Sequence, residues 1–144
     1  MKKRTDELGF ELKQHAATPD EYLKENTDEL LSESITAYIA TLMQQKNLDK
    51  ASVIHAAGLD RTYGYQLLNG KRGINRDRLL QLAFGMKLTL EETQKLLKTA
   101  RMAVLYERDV RDVFIVSALY NGYDIDACDQ LLFEHQQPTL QTIS

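Results

Sequence analysis

The feature that most constrains the fold of this 144-residue chain is Lys50–Gly70, in which a tight turn joins two short amphipathic segments. Glycine adopts positive φ angles without a Cβ clash, so Gly58 predicts the end of the first helix. Asp60 is placed to accept hydrogen bonds from the free N–H groups of the next helix, which we expect over about Arg61–Leu68. Asn69-Gly70 is a strong turn signal that ends this second helix. The stretch therefore predicts helix, turn, helix.

The second of these helices carries side chains that suit the major groove of DNA. Glutamine can read an adenine edge and arginine a guanine edge, and each good pair discriminates by about 1–3 kcal/mol. We expect three residues to read bases, namely Arg61, Thr62 and Gln66. We expect five others to contact the phosphate backbone, namely Lys50, Tyr65, Asn69, Lys71 and Arg72. Tyr65 could equally be a packing residue, and the plainer interpretation of the whole set is solvated charge on a helical scaffold.

These residues resemble the lambda-repressor-like (Xre/Cro) helix-turn-helix family, over about Leu31–Met86. The matching residues are Ala56, Ala57, Gly58, Asp60-Arg61-Thr62 and Asn69-Gly70-Lys71. Two positions depart from the family pattern: Ile54, where alanine is common, and Gly64, where a buried branched aliphatic residue is usual. We expect Tyr63 or Tyr65 to fill the space that Gly64 leaves.

The resemblance implies a sequence-specific transcriptional regulator that binds double-stranded DNA, with repression as the expected effect. In the family, the positions that match Arg61, Thr62 and Gln66 commonly face base edges. One helix-turn-helix module buries little surface on DNA, so we expect a homodimer that reads two half-sites. The alternative is a protein-interaction module, an antitoxin-like or adaptor protein with weak or no DNA binding, which the acidic tail favours.

The net charge of −3 does not exclude DNA, because the charges are unevenly distributed. Residues 46–78 hold seven cations against three acids. Residues 1–34 hold five cations against nine acids, and residues 105–144 hold two against seven. Screening removes the influence of charges beyond about 8–10 Å at physiological salt, so the local balance decides. A basic middle between acidic ends is compatible with one DNA-binding face.

The fold class that we predict is all-α, since apolar residues recur at helical spacing and no useful β alternation occurs. The further helices of a five-helix domain are Asp28–Gln45, Arg76–Met86 capped by Asn75, and Leu90–Arg101 behind a Thr89–Glu92 capping box. We divide the chain into a polar N-terminal arm (1–26), a DNA-binding domain (27–101) and a C-terminal helical hairpin (102–144). Lys2-Lys3-Arg4 could contact phosphate or the minor groove, but a solvated tail is the plainer expectation.

The C-terminal hairpin echoes the sequence before it at a shift of 35 residues. Arg76–Leu105 and Arg111–Leu140 share six identical positions in thirty, including Arg-Asp at the start and leucine at the end. We interpret them as two copies of one unit, the second with helices Val110–Asn121 and Asp124–His135 around Gly122. Convergence of two amphipathic hairpins is the alternative.

The hairpin has a strong apolar face, which must pack on the rest of the chain, on a second copy or on another protein. Its residues are Phe114, Ile115, Ala118, Leu119, Leu131 and Leu132. We take this face as the candidate dimerisation or partner surface.

No pattern indicates an enzyme, a metal site or a cofactor. His15, His55 and His135 lie in separate segments, and Cys128 is expected to be a small packing residue. A single cysteine fits a reducing compartment, and no apolar run reaches the roughly 20 residues of a membrane span. With no secretory signal recognised, we expect a cytoplasmic protein.

Overall fold

The computed structural model describes residues 35–141, and all regular structure in this range is α-helical. The seven helices are α1 (residues 35–45), α2 (Lys50–Ala56), α3 (Arg61–Leu68), α4 (Arg76–Gly85), α5 (Leu90–Thr99), α6 (Val110–Tyr120) and α7 (Ile125–Glu134). The all-α prediction is confirmed for this part of the chain. Within it, no helix is long and apolar enough to cross a membrane. The predicted arm (1–26), with Lys2-Lys3-Arg4, and residues 28–34 of the first predicted helix lie outside the described residues.

Among the described residues, the turn and the helix starts that the sequence predicts are confirmed to within one residue. Gly58 has a φ angle of 70° and ends the segment that contains α2. Asp60 and Asn75 each accept a hydrogen bond from the N–H group three residues on, at 3.1 and 2.9 Å. Thr89 and Glu92 form both bonds of the capping box. The later helices end one or two residues before their predicted ends, in turns that contain a residue of positive φ.

Ile54 and Gly64 form the close contact between α2 and α3. Ile54 is buried, and a Cβ atom on Gly64 would lie 2.6 Å from Ile54 Cγ2. The two departures from the family pattern therefore compensate each other, because the larger residue on α2 faces the residue without a side chain on α3. The prediction that Tyr63 or Tyr65 fills this space is wrong, since Ile54 occupies it and both tyrosines are only half-buried.

The hairpins α4–α5 and α6–α7 have matching turns at the predicted shift of 35 residues. Lys87 and Gly122, near the tips, have φ angles of 55° and 70°. Arg101 and Gln136, where the chain leaves each hairpin, have φ angles of 55° and 60°. Both segments thus contain two helices joined by a turn, and their likeness extends to the backbone conformation at these positions.

The two hairpins are joined by two exchanged ion pairs. The Nε atoms of Arg76 and Arg111 each donate to a carbonyl 27 residues further on, at 2.9 Å in both cases. Each guanidinium also pairs with the aspartate of the other hairpin: Arg76 with Asp112 and Arg111 with Asp77, all at 2.9–3.0 Å. In the same way α4 packs on α7 and α5 packs on α6. The hairpins are therefore related by an approximate two-fold axis.

The second hairpin completes one continuous hydrophobic core, which extends from Ile35 to Leu140. Four of the six residues in the predicted apolar face of the tail are buried in this core. The other two, Phe114 and Leu131, are half-buried. This face packs on the chain's own helices, so it is not the surface through which the tail could dimerise or bind a partner.

The contact between α2 and α3 can be tested by a double-mutant cycle. Gly64→Ala should destabilise the protein by about 1–3 kcal/mol, because the added methyl group overlaps Ile54. Ile54→Ala should cost about 2–5 kcal/mol through the cavity that it leaves. In the double variant the methyl group at 64 has room, so the combined cost should be smaller than the sum. Urea unfolding of the four proteins measures this coupling, and strictly additive costs would contradict the contact.

The ion pairs offer a matched test because they differ in burial. The Asp112 side chain is 7% exposed and also accepts a bond from the Tyr106 N–H, whereas the Asp77 side chain is 31% exposed. Removing one partner of a buried pair costs about 3–5 kcal/mol. We therefore expect Asp112→Asn to destabilise by about 3 kcal/mol or more, and Asp77→Asn by about 1 kcal/mol. Equal losses in urea unfolding would show that burial does not distinguish the two pairs.

Candidate nucleic-acid interface

Helix α3 has one face in the core and one face toward solvent. Its buried residues are Gly64, Leu67 and Leu68. On the other side, Arg61 and Thr62 are exposed, Tyr65 and Gln66 are half-buried, and Asn69 follows as the exposed C-cap. All three predicted base-reading residues therefore share this outer stripe with two of the predicted backbone contacts.

The two cations after α3 are held close to its end. Gly70, with a φ angle of 74°, reverses the chain. The N–H groups of Lys71 and Arg72 then both donate to the Gln66 carbonyl, at 2.9 and 3.3 Å. Both side chains are exposed. The structure thus brings them beside the outer stripe of α3, where the sequence predicts phosphate contacts.

Lys50 joins the same surface from α2. Its Nζ atom donates to Asn69 Oδ1 at 2.7 Å, which links the first residue of α2 to the C-cap of α3. This bond was not foreseen, and it places two of the predicted backbone-contacting side chains next to each other. All eight predicted site residues lie on α3, at its C-terminal end or at the start of α2.

Two tyrosines lie beside the arginines of this surface. The Arg61 guanidinium is 6.0 Å from the Tyr65 ring centroid, and that of Arg72 is 5.6 Å from the Tyr63 centroid. These separations are at the outer range of cation–π attraction, worth about 0.5–1 kcal/mol at exposed sites. Tyr65 also packs against the core. It therefore has both of the positions that the sequence allowed, since one part of the side chain packs and the other lies at the surface.

The seven cations that make the middle of the chain basic do not all belong to this surface. Arg76 is committed to Asp112, and Lys46 Nζ lies 3.0 Å from Glu92 Oε2. Arg78 is buried and donates to Gln81. The cations that remain at the interface are Lys50, Arg61, Lys71 and Arg72. The sequence count is therefore an overestimate of the cations at the surface of α3.

The acids near this surface are also committed to structural contacts. Asp49 caps α2, and hydrogen bonds from the Ser52 hydroxyl and N–H hold its pKa below the ordinary value. Asp60 caps α3, and Asp77 pairs with Arg111. Their carboxylates thus accept hydrogen bonds from the protein, and the polar face of α3 itself carries no acid.

A buried contact beneath the turn between α2 and α3 was not predicted from the sequence. Gln81 Nε2 on α4 donates to the Ala57 carbonyl at 2.9 Å, and Arg78 donates to the same glutamine. Gly85, one turn further, lets α2 approach closely, since a Cβ atom there would lie 2.6 Å from the Val53 carbonyl oxygen. Polar residues among the leucines of α4 were the signal that could have indicated this support.

The cysteine and the aspartates of the tail, which could in principle take part in chemistry, have structural roles instead. Burial is the main cause that raises the pKa of the Cys128 thiol to about 12, and the nearby Asp129 carboxylate is the second. The thiol is therefore protonated at neutral pH. Asp124 caps α7, and Asp129 accepts the N–H groups of Leu140 and Gln141. Among residues 35–141, no group of three or more metal-binding side chains is gathered at one place.

Comparisons with protein-family models, with curated proteins and with solved structures find no match to this chain. A function is therefore inferred from the surface formed by α3, the start of α2 and the turn after α3.

Proposed function

We propose that this chain is a sequence-specific double-stranded DNA-binding protein and a regulator of transcription, with α3 in the major groove. The proposal extends the all-α fold to a finer one: a lambda-repressor-like helix-turn-helix domain of helices α1–α5, followed by the α6–α7 hairpin. In this arrangement α2 and α3 are the two helices of the motif. The observation that carries the proposal is the outer stripe of α3, which joins amide, hydroxyl and guanidinium groups to a cluster of cations.

The proposed contacts divide into two classes by their chemistry. Arg61, Thr62 and Gln66 project from the first two turns of α3, the part of a recognition helix that meets base edges. Lys50, Asn69, Lys71 and Arg72 surround the C-terminal end of α3, where they would contact phosphates of the adjacent strand. The Lys50–Asn69 bond supports this division, because it places an amide and an ammonium next to each other at this end of α3.

Repression and a homodimer are part of the same proposal. A monomer with one short recognition helix makes few contacts, whereas two copies on a two-fold site double the contacts and define the half-site spacing. A protein that occupies a promoter in this way blocks transcription by steric exclusion. The rival, a protein-interaction module with weak or no DNA binding, would leave the stripe on α3 without a nucleic-acid partner.

The first test is the salt dependence of DNA binding. Duplexes selected from a random pool should bind in gel-shift experiments, and log K should fall linearly with log salt concentration. Three cations of each copy are assigned to phosphates, namely Lys50, Lys71 and Arg72, and they predict a slope of roughly −3 per copy, at about −0.9 for each phosphate contact. No binding to the selected or random duplexes, or affinity independent of salt, would contradict the proposal and favour the rival.

The second test separates the two classes of contact. Gln66→Ala should lower affinity for the selected duplex by about 1–3 kcal/mol and relax the preference at one base pair, because it removes a base-edge contact. Lys71→Ala should weaken all duplexes alike and reduce the salt slope by about 1. Lys87→Ala is the control, since Lys87 lies beside Tyr123 and Asp124 of the tail. If Gln66→Ala and Lys71→Ala both act uniformly on all sequences, the division into readers and positioners is wrong.

A further inference from the structure

Helix α6 is apolar on the side that faces solvent as well as on the side that faces the core. Its inner residues Ile115 and Ala118 are fully buried. On the outer side, Val110 is 60% exposed, Val113 43% and Tyr120 82%. A helix that is apolar all round is normally buried on all sides. The outer face of α6 is therefore a surface that the described part of the chain leaves uncovered.

The equivalent face of the first hairpin is covered by this chain's own helix α2. At the shift of 35 residues, the α6 positions Val116 and Tyr120 correspond to Gln81 and Gly85 on α4. Gln81 bonds to the Ala57 carbonyl, and the backbone of α2 lies directly on Gly85. The two-fold relation between the hairpins thus identifies the outer face of α6 as a helix-packing surface.

A groove beside this face is open for the same reason. It has a volume of about 510 Å³ and lies between α5 and α6. Its lining is mostly apolar and also contains two polar side chains: Leu90, Leu105, Tyr106, Val113 and Val116, with Gln94 and Glu107. The equivalent groove between α7 and α4 receives the turn after α2, where Gln141 packs against Gly58. Valines replace the polar Arg78 and Gln81 in the open groove, so its α6 side suits a mainly apolar side chain.

Tyr120 has the properties of such an occupant. Tyr120 is at the position that corresponds to Gly85 of the first hairpin. A tyrosine ring therefore projects from α6 at the point where, on α4, the backbone of α2 packs closely. It is the most exposed large hydrophobic residue of the described chain. The groove lies at the N-terminal half of α6 and Tyr120 at the C-terminal end. A knob and a groove at opposite ends of one helix are self-complementary under a two-fold axis.

We propose that a second copy of this chain packs here, with α6 antiparallel to α6 and each Tyr120 ring in the groove of the other copy. The seam consists of Val110, Val113, Ser117 and Tyr120, whose spacing of three, four and three is that of a coiled-coil stripe. The seam carries no charge, and the charged residues of α6, Arg111 and Asp112, are turned inward to their ion pairs. The four seam residues therefore add no charge of their own to the contact.

This surface locates the dimer of the proposed function but does not depend on DNA binding by α3. It is a different face from the inner one of Ile115 and Ala118, which is filled by the chain itself. The tests below are carried out without DNA, so a failure of either proposal is recognised separately from the other.

The first test measures the mass of the full chain over a concentration series by sedimentation equilibrium. We expect twice the 16.5 kDa of one chain at high concentration. Val113→Glu and Tyr120→Glu should each weaken the dimer by about 30-fold or more, because each places a charge in the apolar seam. Phe133→Glu is the matched control: Phe133 is 71% exposed but lies on α7, outside the seam on α6.

The second test determines the orientation and needs no destabilising charge. In an antiparallel seam Val110 lies opposite Tyr120 of the other copy, so an oxidised mixture of the Val110→Cys and Tyr120→Cys variants should form a mixed disulfide. The native Cys128 is buried and does not compete. A monomer at all concentrations, a dimer weakened equally by Phe133→Glu, or disulfides formed only between like variants would overturn the proposal.

Discussion

Two bidentate arginine–aspartate pairs join the two helical hairpins of the described structure. Arg76 and Asp77 are the first residues of α4, and both are bonded to the second hairpin. Helix α4 carries the residues that support α2, and α2 packs on α3 through Ile54 and Gly64. The position of the exposed stripe of α3 therefore depends on these ion pairs indirectly, through α4 and α2. The second hairpin thus contributes to the geometry of a surface that it does not touch.

The same pairs explain why charge alone is a poor guide to the interface. Arginine is suited both to DNA and to bidentate carboxylate pairs, and its sequence position does not reveal which it makes. Arg76 was counted with the basic middle of the chain but lies in an interior pair with Asp112. The positive surface that remains at α3 is smaller than the sequence count suggests. The carboxylates near it accept hydrogen bonds from helix N-termini or pair with arginine.

Local signals in the sequence predicted most of the helical framework. Capping residues such as Asp60 and Thr89 act on neighbours three residues away, so their effect can be read without the fold. The repeat at 35 residues also predicted the second hairpin, because equivalent hairpins need equivalent turns. All the candidate site residues fell on one connected surface for a related reason: α3 is short, and residues at helical spacing share a face.

Contacts between distant residues were beyond sequence reasoning. The compensation between Ile54 and Gly64 was read as two separate anomalies, since only the packed structure shows that they touch. The apolar face of the tail was correctly identified, but whether it is covered by the same chain or by another depends on tertiary packing. The outer face of α6 was not predicted for a different reason. A helix that is apolar on all sides shows no single apolar stripe in its sequence, so its exposed face cannot be distinguished from its buried face.

The contact of Gln141 with Gly58 has a mechanical consequence. The Gln141 side chain rests on the turn before α3 and is also bonded to Asp126 and Asp129 of the tail. The turn before α3, the helix proposed to read DNA, is therefore in direct contact with the tail that carries the proposed dimer seam. In the proposed dimer, these contacts would set the separation and the angle between the two copies of α3. An extra base pair between half-sites would rotate one of them by about 35° around the DNA axis, a change that these contacts would oppose.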